Sequence, residues 1–279
     1  MANQNLSIVA ISSLNGVHQY VLQELAAKWP FQTVIRPDST SPVATPRNES
    51  RWSKLRKRPL KLLANKINHT LMSPVYRRRD RAFYRALFGQ NAPPATHLPT
   101  WDVPAAQLNE RTTEDRIASL KPDVLIACGA PLLKPNIFEI PRLGALNIHY
   151  GISPQYRGEH TLFWPLMRGE DECLGVTIHR IDSGVDSGPV FCYGFPELAT
   201  RDTEEDLWVK CAKLSVRLLD GILTAFCEGP LQGRPQAPAD GRNIRFRDRK
   251  ILHQVRYWIR QSVLRMYPKP RPERIERFY

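Results

Sequence analysis

The stretch Val124-Leu-Ile-Ala-Cys128, which is followed by Gly129, is a short uninterrupted apolar run. Runs of this length and character are typical of strands that are covered on both faces of a sheet. A second one, Ala145-Leu-Asn-Ile-His149, ends at Gly151. Segments with helical spacing separate such runs, and strands that alternate with helices predict an α/β fold. We therefore expect a doubly wound, mostly parallel, Rossmann-like sheet.

The N-terminal part of the chain fits the same scheme. Its pattern predicts in order a strand, a turn, a helix and a second strand, over residues 6–11, 12–16, 17–28 and 31–35. We expect Pro37 to end that second strand, because proline cannot donate to a ladder of hydrogen bonds. A short strand near residues 98–103 and a helix over 113–120 should follow.

The C-terminal half continues with two alternating segments, Val176-Thr-Ile-His179 and Pro189-Val-Phe-Cys-Tyr193, which we expect to pair antiparallel. A long helix is predicted from Thr203 to Glu228. It opens with Thr203-Glu-Glu-Asp206, which resembles a capping box.

Composition limits the class of protein. The 279 residues are 42% hydrophobic and 24% charged, which is ordinary for a globular protein. Since no apolar run approaches the roughly 20 residues of a membrane helix, and the N-terminus does not resemble a secretory signal, we expect a cytoplasmic location. The five cysteines form no C-x-x-C pair, so we expect reduced thiols, buried at Cys128 and Cys192.

Positive charge is concentrated in two segments. Residues 47–85 contain 13 Lys/Arg against two acidic residues, and residues 242–279 contain 12 against three. The net charge of the whole chain is only +13, so the remainder is mildly acidic. Such segments attract phosphates, nucleic acid or anionic membrane surfaces, although no nucleic-acid-binding motif is visible and we do not expect a nucleic-acid partner.

Both basic segments also have apolar residues at helical spacing, which are Leu60, Leu63, Ile67 and Leu71 in the first and Ile251, Val255, Trp258, Ile259 and Val263 in the second. The spacing predicts amphipathic helices that pack their apolar sides on the body of the protein, with the first helix broken near Pro74. We thus expect a catalytic domain over 1–229 with a basic helical insertion at about 47–90, and a basic helical extension over 230–279.

Candidate catalytic residues cluster near the end of one predicted strand. Asn147 and His149 are two positions apart, so their side chains leave the same face. The loop 182–189 contains two glycines and a proline and could aim Asp186 back at His149. The carboxyl ends of strands are where ligands bind in open α/β sheets.

An amide, an imidazole and a carboxylate suit acyl transfer to an amine. Asn147 could donate a hydrogen bond to an oxyanion, and a cationic His149 held by Asp186 could stabilise it further. Asp186 could also accept the proton that the amine loses. Spacing alone does not exclude a structural role for these residues.

Residues 121–189 add a resemblance. Asn147-Ile-His149, Gly151-Ile-Ser-Pro-Gln-Tyr-Arg-Gly158, Gly175-Val-Thr-Ile-His179 and Val185-Asp-Ser-Gly-Pro189 match in order and spacing the motifs of folate-dependent formyltransferases. This family includes glycinamide ribonucleotide, methionyl-tRNA and amino-sugar formyltransferases. The resemblance implies a formyltransferase fold and transfer of a formyl group from 10-formyltetrahydrofolate to a primary amine, without a metal.

The same resemblance implies site residues. The catalytic residues of the family fall on Asn147, His149 and Asp186. Its pterin-binding segments fall on two loops, which contribute Cys128, Gly129, Ala130, Leu132 and Leu133, and Asp182, Gly184 and Val185. His179 matches a strand position that is more often structural, and His160 and His18 could line the acceptor side.

Two departures from the family guide the choice of acceptor. The turn Ser12-Ser-Leu-Asn-Gly16 is not a glycine-rich phosphate cradle, and only about 50 residues, read as helix and Pro-rich tail, follow the long helix. We therefore expect a small-molecule amine, with a nucleotide-linked amino sugar as the first candidate. Methionyl-tRNA formylation and formyl-folate hydrolysis remain alternatives. The sequence leaves open whether the basic helices bind a phosphorylated substrate, cap the site or form a homodimer.

Overall fold

The computed structural model describes residues 6–38, 59–90, 95–237 and 241–279, with side chains described from residue 65 onward in the second range. Strands β1 to β10 are Ile8–Ser12, Phe31–Asp38, Thr100–Pro104, Val124–Cys128, Gly144–Tyr150, Tyr156–Gly158, Val176–Arg180, Val190–Phe195, Arg242–Ile244 and Arg274–Arg277. Helices α1 to α7 are Gly16–Ala26, Pro59–Phe88, Arg111–Ser119, Pro135–Phe138, Phe163–Arg168, Glu204–Phe226 and Ile251–Ser262.

Eight of these strands form one sheet in the order β10-β8-β7-β5-β4-β1-β2-β3. The strands from β3 to β5 are parallel, whereas β7, β8 and β10 add an antiparallel edge. The predicted doubly wound, mostly parallel sheet and the antiparallel pairing of β7 with β8 are confirmed. A separate parallel pair joins β6 to β9.

Apolar residues cover both faces of the sheet. Along β1, Ile8 and Ala10 belong to one core cluster, while Val9 and Ile11 belong to the other. The first cluster is closed by α1 and α6, and the second by α3 and α4. This alternation explains why the apolar runs in the sequence are continuous rather than alternating.

The ends of two helices follow the sequence signals. Asn15 caps α1 by accepting a hydrogen bond from the amide of His18. Thr203 and Asp206 form the predicted capping box at the start of α6. These caps satisfy amide groups that have no partner within the helix.

Two predictions about proline are wrong. β2 continues through Pro37 to Asp38, because beyond Ile35 it pairs only with β3, so the missing amide costs no hydrogen bond to β1. Helix α2 runs unbroken through Pro74. The predicted break there does not occur, although proline removes one hydrogen bond from a helix.

The apolar packing predicted for the two basic helices is also wrong where side chains are described. Ile67 and Leu71 of α2 are about half exposed, whereas Met72 is fully buried. On α7 the predicted apolar positions Val255, Trp258 and Ile259 are exposed by 39–47%, and Val263 just beyond the helix by 70%. Leu60 and Leu63 lie outside the described side chains. The C-terminal helix itself is confirmed, but strand β10, which extends the main sheet, was not predicted.

Candidate active site

The predicted catalytic residues converge in one cavity of about 730 Å³ at the ends of β4 and β5. Asn147 and His149 project into it from β5, and Asp186 reaches it from the loop between β7 and β8. The backbone of Asp186 has a φ of +48°, a left-handed conformation that aspartate tolerates better than most residues. The loop therefore turns the carboxylate back onto β5, as its glycines and proline predict.

The Asp186 carboxylate is the centre of this site. Oδ1 accepts a hydrogen bond of 3.0 Å from the Asn147 amide and lies 3.4 Å from Nε2 of His179. Oδ2 lies 3.3 Å from Nδ1 of His149 and accepts a 2.8 Å bond from the Gly158 amide. Burial raises the pKa of Asp186, but the nearby His149, then His179 and the Gly158 amide, outweigh it and hold the pKa below its usual range.

This pKa has a chemical consequence. A carboxylate that is stabilised as an anion is a weak base, so Asp186 is better suited to holding its neighbours in place than to accepting a proton. The geometry thus favours a positioning and electrostatic role over the proton-accepting role that the sequence suggests.

His149 is held at both ring nitrogens. Nε2 lies 2.8 Å from the carbonyl oxygen of Tyr156, which can only accept, so this nitrogen carries a hydrogen. Nδ1 faces Asp186 Oδ2, and the doubly protonated ring alone donates to both acceptors. In this geometry both ring nitrogens of His149 are engaged, so the ring has no free donor for a ligand.

His179 takes a larger part than its motif position predicts. Its Nδ1 lies 2.7 Å from the Arg180 carbonyl, and its Nε2 lies 3.1 Å from the Asn147 side-chain nitrogen. Because Asn147 also donates to Asp186, His179 controls where the second amide hydrogen of Asn147 points. His179 pairs directly with Asn147 across the β5–β7 ladder, a pairing that the sequence did not predict.

The predicted pterin-binding loops line one side of the cavity. Gly129, Ala130, Leu132, Leu133, Asp182, Gly184 and Val185 all border it. Leu132 and Val185 are exposed by 65% and 39%, which leaves apolar surface for a flat ring to cover. Cys128 is the exception, because its side chain is fully buried in the core and does not border the cavity, so only its backbone could contact a cofactor.

Gly129 allows this loop to pack closely against α1. Its φ is +61°, and a Cβ there would lie 2.3 Å from the His18 ring. A side chain at this position would be strained and would fill the space between the loop and α1.

The opposite side of the cavity contains residues that the sequence did not single out. Arg79 comes from α2, Trp208 from α6, and Arg245 and Phe246 from the segment after β9. His160 also borders the cavity here, and His18 lies between this side and the folate loop at Gly129. Both basic segments therefore contribute residues to the cavity. The sequence contains no signal that distinguishes Arg79 from the neighbouring basic residues.

Several polar atoms on this side have no hydrogen-bond partner among the described residues. They are His18 Nδ1, His160 Nε2, Arg79 Nε and Trp208 Nε1. Burial lowers the pKa of His18 to about 4; burial, followed by the nearby Arg249, lowers that of His160 to about 3. Both rings are thus neutral near pH 7. Buried polar groups without partners are rare, so this side is suited to a polar ligand.

A buried ion pair lies next to the residues on this side of the cavity. Arg249 is 1% exposed and makes two bonds of 2.8 and 2.7 Å to Glu204, which is 2% exposed. The Arg249 guanidinium also stacks 3.7 Å from the centre of the Phe163 ring. Burial raises the pKa of Glu204, but Arg249 outweighs it and lowers the pKa to about 2, so the pair is ionised.

Comparison with known proteins gives consistent results. The family described as formyl transferase matches residues 53–222. Methionyl-tRNA formyltransferase of Legionella pneumophila (strain Paris) is 33% identical over 165 residues, which cover 58% of this chain and 52% of that protein. The chain thus spans about half the length of the curated relatives it matches.

Solved structures share the fold. A sugar N-formyltransferase from a Shewanella species has a TM-score of 0.52 at 13% identity, covering 87% of this chain and 78% of that one. Glycinamide ribonucleotide transformylase 1 from Symbiobacterium toebii has a TM-score of 0.52 at 17% identity, covering 84% and 94%. At such identities the likeness concerns the fold alone.

Proposed function

The chain belongs to the formyl transferase family, and we propose that it transfers a formyl group from 10-formyltetrahydrofolate to a primary amine of a small molecule. A nucleotide-linked amino sugar is the acceptor class that we expect first. One observation carries the proposal: Asn147, His149 and Asp186 meet in a cavity that both predicted folate loops also line.

The two loops would hold the reduced pterin. The exposed side chains of Leu132 and Val185 offer apolar surface to a ring. When bound, the donor would supply a formyl group that is already activated for attack by an amine. No described group of three His, Cys, Asp or Glu is arranged to hold a metal ion.

We assign the remaining roles to residues of this chain. The Asn147 amide hydrogen that faces His179 would turn to the formyl oxygen when the donor is bound and stabilise negative charge there, a contribution of roughly 3 kcal/mol for a well-placed donor. His149 would add positive charge, and Asp186 would orient both groups. His18, His160, Arg79 and Trp208 would bind the polar acceptor through their unpaired hydrogen-bonding atoms.

The acceptor side favours a small polar molecule. Its unpaired groups are buried between α1, α2 and α6, where hydroxyl and phosphate oxygens could satisfy them. Five free thiols suit the reducing conditions of the cytoplasm, where we place the enzyme.

The test is an assay with 10-formyltetrahydrofolate and a panel of acceptors: nucleotide-linked amino sugars, free amino sugars, glycinamide ribonucleotide and methionyl-tRNA. We expect tetrahydrofolate release that depends on the amine, together with a formylated sugar product detected by mass spectrometry. The N147A/H149A double variant is the control and should lose this activity. Absence of amine-dependent product in every arm, with folate binding intact, would overturn the proposal.

A second candidate is formylation of methionyl-tRNA. It is favoured by the names of the curated relatives and by the net charge of +13. Product in the tRNA arm alone would establish it in place of the sugar. Formate release without any amine would instead support formyl-folate hydrolysis.

A further inference from the structure

Helix α7 is oriented with its apolar side toward solvent. Its buried positions are polar or amphipathic, with Gln254 and Tyr257 exposed by only 2% and 4%. Leu252 is 72% exposed, and Trp258 and Ile259 are 45% and 47% exposed. These apolar residues and Val255 lie on one side of the helix, because they recur at steps of three and four. The helix is anchored by polar contacts, and this side is left unpacked.

The exposed apolar surface is larger than one helix. It continues through Val263 and Leu264, which are 70% and 59% exposed. The start of α7 lies beside α2, since Asn68 Oδ1 accepts a 2.8 Å bond from the Ile251 amide. Such a contiguous exposed apolar surface marks an interaction site. We call Leu252, Val255, Trp258, Ile259, Val263 and Leu264 the α7 apolar face.

A basic groove lies along the neighbouring side of the same helix. It has a volume of about 430 Å³ and is lined by Trp164, Met167, Arg168, His253, Arg256 and Arg260. Three guanidinium groups share it, of which that of Arg168 also donates to the Tyr156 hydroxyl and lies near the Glu170 carboxylate. No carboxylate is among the described residues that line the groove itself. Like charges gathered in this way favour an anion.

Two groups in the groove lack a protein partner. The indole Nε1 of Trp164, a residue that is 6% exposed, and Nε of Arg260 make no hydrogen bond to any described residue. Both are donors only, as the guanidinium groups are. The groove therefore offers a set of donors to a ligand that carries oxygen acceptors and negative charge, and a phosphate group has both.

We propose that this side of the protein binds the surface of an anionic phospholipid membrane. Arg168, Arg256 and Arg260 hold a lipid phosphate in the groove, while the α7 apolar face lies among the headgroups and upper acyl chains. This arrangement of apolar and basic sides is that of an interfacial helix. No described helix is long and apolar enough to cross a membrane, so the helix lies on the bilayer rather than through it.

The chemistry of the surface favours an anionic membrane over two other partners, a second copy of the chain and nucleic acid. A second copy of the chain would bring another strongly basic surface, because residues 242–279 carry 12 Lys/Arg against three acidic residues. Nucleic acid would suit the charge, but the exposed face is mostly aliphatic and offers few rings on which bases stack. An anionic bilayer matches both the charge and the apolar side chains.

The test is flotation of the full chain with vesicles of phosphatidylcholine alone or with phosphatidylglycerol. We expect binding only to the anionic vesicles, weakened by salt. L252S/V255S/I259S should reduce binding by more than tenfold. R256Q/R260Q should reduce it about 25-fold, on the basis of about fivefold for each cation near the surface. The matched control is K213Q at an exposed lysine of α6, which should change binding by less than twofold.

Other outcomes would overturn the proposal. If the triple serine variant floats as well as the unaltered protein, the α7 apolar face does not contact lipid. If sedimentation velocity shows a dimer that this variant converts to a monomer, the face belongs to a second copy. If inorganic phosphate binds the groove in calorimetry but anionic vesicles do not bind, the groove serves a soluble phosphate. Formyl transfer to a soluble acceptor should be the same in all variants, which also shows that they are folded.

Discussion

Oδ2 of Asp186 lies 3.3 Å from Nδ1 of His149, with the two side chains exposed by only 12% and 5%. The other ring nitrogen of His149 donates to a carbonyl oxygen, so the cationic ring is the form that satisfies both contacts. The buried Asp186 carboxylate thus lies against one ring nitrogen of His149 and fixes the orientation of the ring beside the cavity.

Replacing Asp186 by Asn tests this relationship with little change in volume. The amide removes the negative charge and can turn its nitrogen toward His149, so the ring and the Asn147 amide would lose the carboxylate that orients them. We expect kcat to fall by roughly 10²–10³-fold, with the folate KM changed less. Steady-state kinetics would check this, with the exposed Asp115→Asn on α3 as control. Unchanged kcat in D186N would contradict the assigned role.

Local rules anticipated part of the convergence of Asn147, His149 and Asp186, and the family resemblance supplied their proposed roles. Strand alternation placed Asn147 and His149 on one face, and the glycine-containing loop allowed Asp186 to return to them. The hydrogen bonds that tune Asp186 were not predictable, since Gly158 and His179 reach it only through the folded arrangement of the chain. Such contacts depend on long-range packing, which cannot be deduced from sequence spacing.

Arg79 links the basic insertion to the cavity. Its side chain is 16% exposed and borders the cavity, whereas the adjacent Arg78 is exposed. We expect R79Q to raise the acceptor KM about tenfold while the folate KM stays unchanged, because Arg79 lies on the wall opposite the folate loops. R78Q is the matched control and should leave both constants unaltered. A parallel rise of both KM values in R79Q would indicate general damage to the cavity instead.

The order of strands and helices was also largely predictable, since continuous apolar runs and helical caps are local signals. The C-terminal strand β10 was not, because Arg274-Ile-Glu-Arg277 has little apolar character and pairs only at the sheet edge. The periodicity of α7 predicted a helix correctly but predicted the wrong buried side. Periodicity shows that a helix has an apolar side, and it does not show whether the protein or another partner covers that side.

Glu204 and Arg249 form a buried pair whose disruption should be costly. In E204Q the Arg249 cation would remain buried with its main countercharge removed. We expect the free energy of unfolding to fall by about 3–5 kcal/mol. Replacing both residues, as in E204Q/R249M, should recover part of that loss, since no unpaired buried charge remains. Urea denaturation of the two variants would check this, and a double variant less stable than E204Q would contradict the explanation.

Acid should destabilise the protein through its buried neutral histidines. The pKa of His18 is lowered to about 4 and that of His160 to about 3, whereas a histidine in an unfolded chain titrates near 6.5. Between pH 6.5 and these values the unfolded chain binds protons that the folded one does not, so stability falls as pH falls through this window.

The corresponding measurement compares urea midpoints at pH 7.5 and 5. Each buried histidine should lower the free energy of unfolding by about 2 kcal/mol at pH 5. H160Q removes one of them, so the difference between the two urea midpoints should be smaller in H160Q than in the unaltered protein. H69Q, at an exposed position of α2, should not narrow it. A pH dependence that is identical in all three proteins would show that His160 does not cause it.

Gly158 offers a test of the backbone that supports Asp186. Its φ is +88°, and a Cβ there would lie 2.1 Å from the carbonyl oxygen of Ile244 on the paired strand β9. G158A must therefore push β6 away from β9 and displace the amide that donates to Asp186. G89A is the matched control, because Gly89 also has a positive φ but a Cβ would meet nothing within 4 Å. It should lose only about 1 kcal/mol of stability and no activity. Both substitutions add the same methyl group to a left-handed backbone. A much larger loss of kcat in G158A than in G89A would therefore show that activity depends on the position of the Gly158 amide, and equal losses would show that it does not.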